Sequence, residues 1–180
     1  MFSKEGNRKM EVFDAIRTRR SIRKYKPEPI PEEKLRNILE AGRLSPSAAN
    51  RQPWRFVVIQ DTDRKKALAE IANNQTFLNN AAAIIVATGD PEISARWYEK
   101  DPMIALEHIV LAATAMGYGT CWIGAFNEDA LKNLLKIPAN VKVIAVLPIG
   151  VPDETPAPRP RKEFSEIFFK EEWQNPWLPR

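Results

Sequence analysis

The sequence predicts one domain of mixed helices and strands that ends in an extended arm, and three observations carry that reading. Residues 56–59, 82–88 and 141–149 are mainly apolar runs rich in valine and isoleucine, with the length of buried strands. Segments between them repeat apolar residues at helical spacing. After the last run, Pro152, Pro156, Pro158 and Pro160 set an extended chain. A length of 180 residues fits one domain with an arm. We divide it into a flexible N-terminus at 1–9, a folded domain at 10–151, and a proline-rich arm with an aromatic tail at 152–180.

The elements follow in order. Val12, Phe13 and Ile16 give helical spacing up to about Thr18, and the basic stretch RTRRSIRKYK (17–26) follows at that helix's C-terminal end. Pro31 with Glu32 and Glu33 starts a second helix with Leu35, Ile38 and Leu39 inward and Gly42 as its C-terminal cap. LSPSAANRQPWRF (44–56) is a shaped loop of prolines and short hydrogen-bonding side chains, leading into the strand at 56–59. A helix at 63–72 turns Leu68 and Ile71 inward, and the strand at 82–88 comes next. The segment 89–102 is irregular, with Trp97 and Tyr98 as candidates for a small lid. Asp101 and Pro102 open the longest helix, apolar nearly all round and therefore central, with Gly117 as its stop. His108 on it reads as a packing or interface residue. Gly119 to Ile123 is a short strand, Asn127 caps a helix at 128–136, and the longest strand spans 141–149.

The tail from Phe164 carries five aromatic residues, each worth roughly 1.5–3 kcal/mol when buried. Such a tail has to dock. An extended arm leading to it points to a homodimer with exchanged arms; packing on its own chain is the alternative.

Composition narrows the chemistry. No apolar run reaches the roughly 18 residues of a membrane span, and MFSKEGNRKM lacks the apolar core of a secretory signal. One cysteine, Cys121, excludes an internal disulfide and fits a reducing cytosol, so a cytoplasmic protein is expected. One histidine beside it argues against a zinc site and a Ser-His-Asp triad. No Walker loop is present. GYGTCWIG (117–124) follows a helix and precedes a strand, the reverse of a dinucleotide fingerprint.

What remains is cationic. The chain has 27 basic and 23 acidic residues, a net of +4. Six cations and no acid lie in 17–26, so without that stretch the balance would be −2. Ser21 adds a hydroxyl donor among the guanidinium groups, the mixture a phosphate calls for. A second cluster, Arg159-Pro160-Arg161-Lys162, lies about 140 residues later. A chain with an anion cradle and no catalytic side chains points to a bound cofactor that brings the chemistry.

Taken together, RRSIRKY, SPSAANRQPWRF, GYGTCWIG and RPRK, in that order and spacing, resemble the FMN-dependent nitroreductase family over most of the chain. The resemblance implies an α+β, three-layer fold with a central mixed sheet flanked by helices and a C-terminal arm exchanged between subunits of a homodimer. It implies FMN as cofactor and NADH or NADPH as co-substrate. Arg19, Arg20 and Ser21 match the positions that hold the flavin phosphate and ribityl chain, and Arg23 the one at the pyrimidine edge. Pro46, Ser47, Ala48, Asn50 and Gln52 match a loop that reaches the flavin from the second subunit. Ile123, Gly124 and Ala125 match the turn beside the ring, and Arg159 and Arg161 the arginines that close over the phosphate. Arg17, Lys24 and Lys26 are left as helix-end and surface charge. The implied reaction is ping-pong: hydride from NAD(P)H to flavin N5, then to a nitroaromatic, quinone or similar small oxidant. No protein group acts as catalytic acid or base, and no metal, nucleic acid or membrane is involved. Against larger members, the segment between the second strand and the core helix is brief. Two other readings stay open at this point: a flavin-binding protein without turnover, and a basic nucleic-acid-binding module using both arginine clusters.

Overall fold

In a computed structural model that describes residues 10–177, the elements alternate along the chain. They are α1 (Val12–Thr18), β1 (Tyr25–Lys26), α2 (Glu32–Arg43), β2 (Trp54–Ile59), α3 (Thr62–Ile71), β3 (Ala83–Gly89), α4 (Lys100–Ala115), β4 (Gly119–Thr120), α5 (Glu128–Leu135), β5 (Lys142–Pro152) and α6 (Phe164–Ile167). The N-terminus at 1–9 and Leu178 of the tail lie outside the described residues.

The strands run in the order β1-β5-β3-β2, with β4 also beside β5. Every pair of named strands is antiparallel. The parallel component of the expected mixed sheet is confined, among the described residues, to one bridge between Ser21 and Thr120.

Central strand β3 is buried at all seven positions, which explains its unbroken apolar run. Ile84 and Val86 face a core shared with Leu68 of α3, Leu78 and Leu131 of α5. Ala83, Ile85 and Ala87 face the opposite core, with Leu35 and Ile38 of α2 and Leu106, Ile109 and Val110 of α4. Helices therefore cover both faces, giving three layers. In β5 the register slips between Ala87↔Ala145 and Thr88↔Val143. This bulge at Ile144 puts Val143 and Val146 on the same face despite their odd spacing.

Several boundaries and roles differ from the sequence expectation. β2 begins at Trp54 and β5 runs on to Pro152, because each pairs with a neighbour that composition does not reveal. Gly42 is no cap: α2 continues to Arg43, and Gly42 is where the helix meets α4. A Cβ there would lie 2.7 Å from Ile109 Cδ1. On α1 only Ala15 is buried, while Val12, Phe13 and Ile16 stand exposed. His108 is not packed in the core: it is exposed in the single chain, with Nδ1 2.7 Å from the Ser45 hydroxyl, which is compatible with the interface half of its reading.

The described part of the tail, residues 164–177, does not enter its own chain's core. Phe164 stacks on Phe168 at 4.3 Å and Phe169 meets Trp173 at 4.9 Å. Trp173 nevertheless stays 81% exposed and Trp177 54%.

Candidate functional site

The basic run is shaped by what it packs on. Helix α1 ends at Thr18, and Arg19 leaves it in an extended conformation while its N–H still donates to Ala15 O at 2.9 Å. Ser21 then bridges Thr120, and Ile22 N–H donates to Thr120 O at 2.9 Å. Ile22 is buried directly over Gly119, whose missing Cβ would sit 2.6 Å from Ile22 Cγ1. That close approach is why a glycine stands there. Tyr25 is buried, its hydroxyl donates to Ile22 O at 2.8 Å, and burial holds the phenol well above its usual range. Ile22 and Tyr25 thus pin the run from inside, leaving the arginines between and before them outward.

The arm returns to this run through β1. Tyr25 and Lys26 pair with Pro152 and Val151, the end of β5. Asp153 N–H donates to Lys24 O at 2.9 Å, and the Lys24 ammonium lies 2.9 Å from the Asp153 carboxylate. The Lys24 hydrogen bond holds that carboxyl below its usual range. Next, the Glu154 carboxylate accepts the Arg23 backbone N–H.

The result is a cleft of about 530 Å³ between two segments distant in sequence. The run contributes Arg17, Arg19, Arg20, Ser21 and Arg23; the arm contributes Glu154, Pro156, Pro158, Arg159 and Arg161. Six guanidinium groups face one carboxylate, which is itself engaged by backbone. Arg20 Nη1 donates to Arg17 O at 2.8 Å and Arg19 O at 2.7 Å, and Arg161 Nη1 to Arg159 O and Pro160 O, both at 3.2 Å. The guanidinium groups of Arg17, Arg19, Arg23 and Arg159 have no acceptor among the described residues. Such an array repels itself until an anion enters, and a phosphate matches its forks and the Ser21 hydroxyl. Arg17, read from sequence as surface charge, lines the cleft. Glu154 was missed because an acid runs against the logic of an anion site; its task is to tie arm to run.

The other expected residues lie elsewhere in this chain. None of Pro46, Ser47, Ala48, Asn50, Gln52, Ile123, Gly124 or Ala125 lines the basic cleft. The loop is nevertheless rigidly made. Gln52 N–H donates to Ser47 Oγ at 3.0 Å, and the Gln52 amide donates to Asn50 Oδ1 at 3.1 Å. Ala49, Asn50 and Gln52 take positive φ values of 50°, 53° and 50°. Ala48 N–H donates to the fully buried Asp101 carboxylate at 3.2 Å, an anchor the sequence did not reveal. Ile123 is buried with both backbone groups paired to Val146, so it seats the turn and offers no polar group outward. Gly124 and Ala125 are exposed, and a Cβ at Gly124 would meet nothing within 4 Å. Cys121 is buried, which pushes its thiol up and keeps it protonated.

Comparison with known proteins bears on the family and the fold. The family model described as "Nitroreductase family" matches residues 16–76 and 70–151. A relative in Archaeoglobus fulgidus, named for NADH dehydrogenase and NAD(P)H nitroreductase activity, is 39% identical over 151 residues, covering 80% of this chain and 87% of its own. A solved nitroreductase family protein from Clostridium novyi is 35% identical, with a TM-score of 0.76 over 93% of this chain and 97% of its own. The NADPH:FMN oxidoreductase of Vibrio harveyi, solved with NAD+, superimposes with a TM-score of 0.83 at 27% identity, covering 91% of this chain and 78% of its own. The family match spans both the basic run and the glycine turn, and the three-layer fold is shared with the solved members: this chain belongs to the nitroreductase family.

Proposed function

We propose that the chain is an FMN-dependent NAD(P)H oxidoreductase that reduces a nitroaromatic, quinone or similar small oxidant by a ping-pong mechanism. The convergence of Arg19, Arg20, Ser21, Arg23, Arg159 and Arg161 on one cleft carries this reading. The cleft's donors fit a phosphate monoester, and the open approach over Gly124 suits a flat ring brought against backbone. Family members that act on FMN with a nicotinamide, such as the Vibrio harveyi enzyme, support the cofactor.

When bound, FMN supplies the hydride chemistry between nicotinamide and oxidant. The protein's own residues bind and orient. Arg19 and Ser21 grip the phosphate, and Arg20, held by two backbone carbonyls, presents its remaining donors in a fixed direction. Arg159 and Arg161 close the cleft from the arm. Arg23 stabilises negative charge at the pyrimidine edge.

The working unit is a homodimer in which each loop 46–52 reaches the flavin site of the other subunit, with the turn 123–125 beside the ring. Val12, Phe13 and Ile16 on α1, Leu44, and Met103 and Ile104 on α4 form apolar surface uncovered in one chain. Strand β2 pairs only with β3 among the described residues, so its other edge can accept a partner's arm.

The test is a visible spectrum of the purified protein, with anaerobic addition of NADH or NADPH. A flavin band near ~450 nm that bleaches on addition is expected; a protein that stays colourless after FMN is added sinks the reading, and a band that neither nicotinamide bleaches leaves flavin binding without turnover. Sedimentation equilibrium on the same sample should give twice the chain mass, and deletion of residues 164–180 should lower that mass or the flavin content. A stable monomer that holds flavin would overturn the exchanged-arm arrangement.

A further inference from the structure

A second cationic pocket lies outside the basic cleft. It has about 460 Å³ of space and is lined by Arg51, Ser94, Arg96 and Trp97, with Ile93 and Ala95 between them. Arg51 comes from the loop of 46–52, flanked by the positive-φ residues Asn50 and Gln52. The other side is the turn that joins β3 to α4. This turn is fixed by backbone hydrogen bonds: Ser94 N–H donates to Asp90 O at 3.2 Å, and Trp97 and Tyr98 N–H groups donate to Ser94 O at 3.1 and 2.9 Å.

Its polar groups are left over from folding. Neither the Arg51 nor the Arg96 guanidinium has an acceptor or an acidic partner within ion-pair distance among the described residues. Ser94 is largely buried as a residue, but its hydroxyl oxygen reaches solvent and makes no hydrogen bond among them. Two acids on the turn are otherwise placed: Asp90 accepts the Glu92 N–H at 2.9 Å, and Glu99 accepts the Tyr98 hydroxyl at 2.9 Å; the Glu92 carboxylate is unpaired among the described residues but lies outside the residues that line the pocket. Lys100 adds a third cation, 5.0 Å from the Trp97 ring, with its ammonium donating to Arg96 O at 3.2 Å. Trp97 remains 42% exposed, a flat apolar face beside the cations.

We propose that this pocket binds the 2′-phosphorylated adenosine end of NADPH and makes the enzyme prefer NADPH over NADH. Two free guanidinium groups with an unpaired hydroxyl between them in sequence suit a phosphate dianion. Trp97 suits an adenine face, and the space suits one nucleotide. Discrimination arises because NADH lacks the charge that these groups are set to meet, so they stay unpaired in its complex. Arg51 sits between Asn50 and Gln52 on the loop proposed above to reach the flavin, which puts the adenosine end beside that proposed site. The inference rests on the proposed oxidoreductase reading and deepens it.

Its test has two arms. Calorimetric titration of the protein as purified with adenosine 2′,5′-bisphosphate should show saturable binding at least about tenfold tighter than 5′-AMP, one charge-assisted contact's worth. Arg96→Ala should abolish that difference, and Arg96→Lys should restore part of it. Stopped-flow reduction should show NADPH favoured in kcat/KM, with Arg96→Ala raising the NADPH KM about tenfold or more at little change in kcat. Equal binding of the two adenosine nucleotides by flavin-loaded protein that NADH and NADPH reduce equally well would overturn this inference and leave the oxidoreductase reading standing. A protein that takes up no flavin overturns that reading first, a separate result.

Discussion

Arg19→Ala is expected to weaken FMN binding about 10- to 100-fold while leaving the melting temperature of the apoprotein unchanged or slightly raised. The first half follows from a charge-assisted hydrogen bond to phosphate being worth about 1.5–3 kcal/mol, with each 1.4 kcal/mol a factor of ten. The second follows from the surroundings. The Arg19 guanidinium has no acceptor among the described residues, and it shares the cleft with five other guanidinium groups, three on its own run and two on the arm. Removing it deletes no hydrogen bond or ion pair of the guanidinium and relieves like-charge repulsion, which offsets the packing lost from its half-buried stem. Arg20→Ala should behave differently. Its Nη1 holds the carbonyls of Arg17 and Arg19, so its loss should lower both flavin affinity and apoprotein stability. Equilibrium dialysis of FMN and thermal melts with and without flavin measure both halves. Full flavin occupancy in the Arg19→Ala protein would show that the phosphate lies elsewhere.

The different fates of neighbouring arginines mark how far the sequence was legible. Strand β3 was readable because a strand buried on both faces has no polar residue to break its run. The helical period of α1 was readable as well. What covers its apolar side was not, since a period reports that Val12, Phe13 and Ile16 share a face and says nothing of a partner. β1 escaped notice because two residues, Tyr25 and Lys26, carry no period at all. Yet that short pairing is what brings Arg159 and Arg161 back to Arg19. The motif resemblance named the arginines; only the sheet shows how a segment 140 residues later reaches them. Gly42 was misjudged for a related reason. A glycine near a helix end fits a cap equally well as a close helix–helix contact, and only the facing Ile109 decides. Asp101 was read as a helix starter, its buried hold on Ala48 N–H being a long-range contact without local signature.

The same ambiguity of glycine supports the second large effect, on stability. Gly89→Ala should lower the melting temperature by roughly 6–12 °C, corresponding to about 3 kcal/mol at the upper end for overpacking. Gly89 ends β3 with no positive φ, so alanine would be comfortable on backbone grounds. The cost is steric. The new Cβ would stand 1.9 Å from the Tyr98 carbonyl oxygen and 2.8 Å from its carbon. Both are backbone atoms, and no rotamer change can move them aside. The turn that carries Ser94, Arg96 and Trp97 would have to lift, loosening the start of α4 behind it. Gly124→Ala is the matched control. Its Cβ meets nothing within 4 Å, so the apoprotein should melt within about 2 °C of the parent. Flavin affinity should fall in that variant, because the added methyl occupies the surface offered to the ring. The two glycines thus separate fold from function: one substitution costs stability in the empty protein, the other only in the loaded one. Equal melting shifts for both apoproteins would mean that the Tyr98 carbonyl is not packed against Gly89, and the turn bearing the second cationic pocket would lose its anchor.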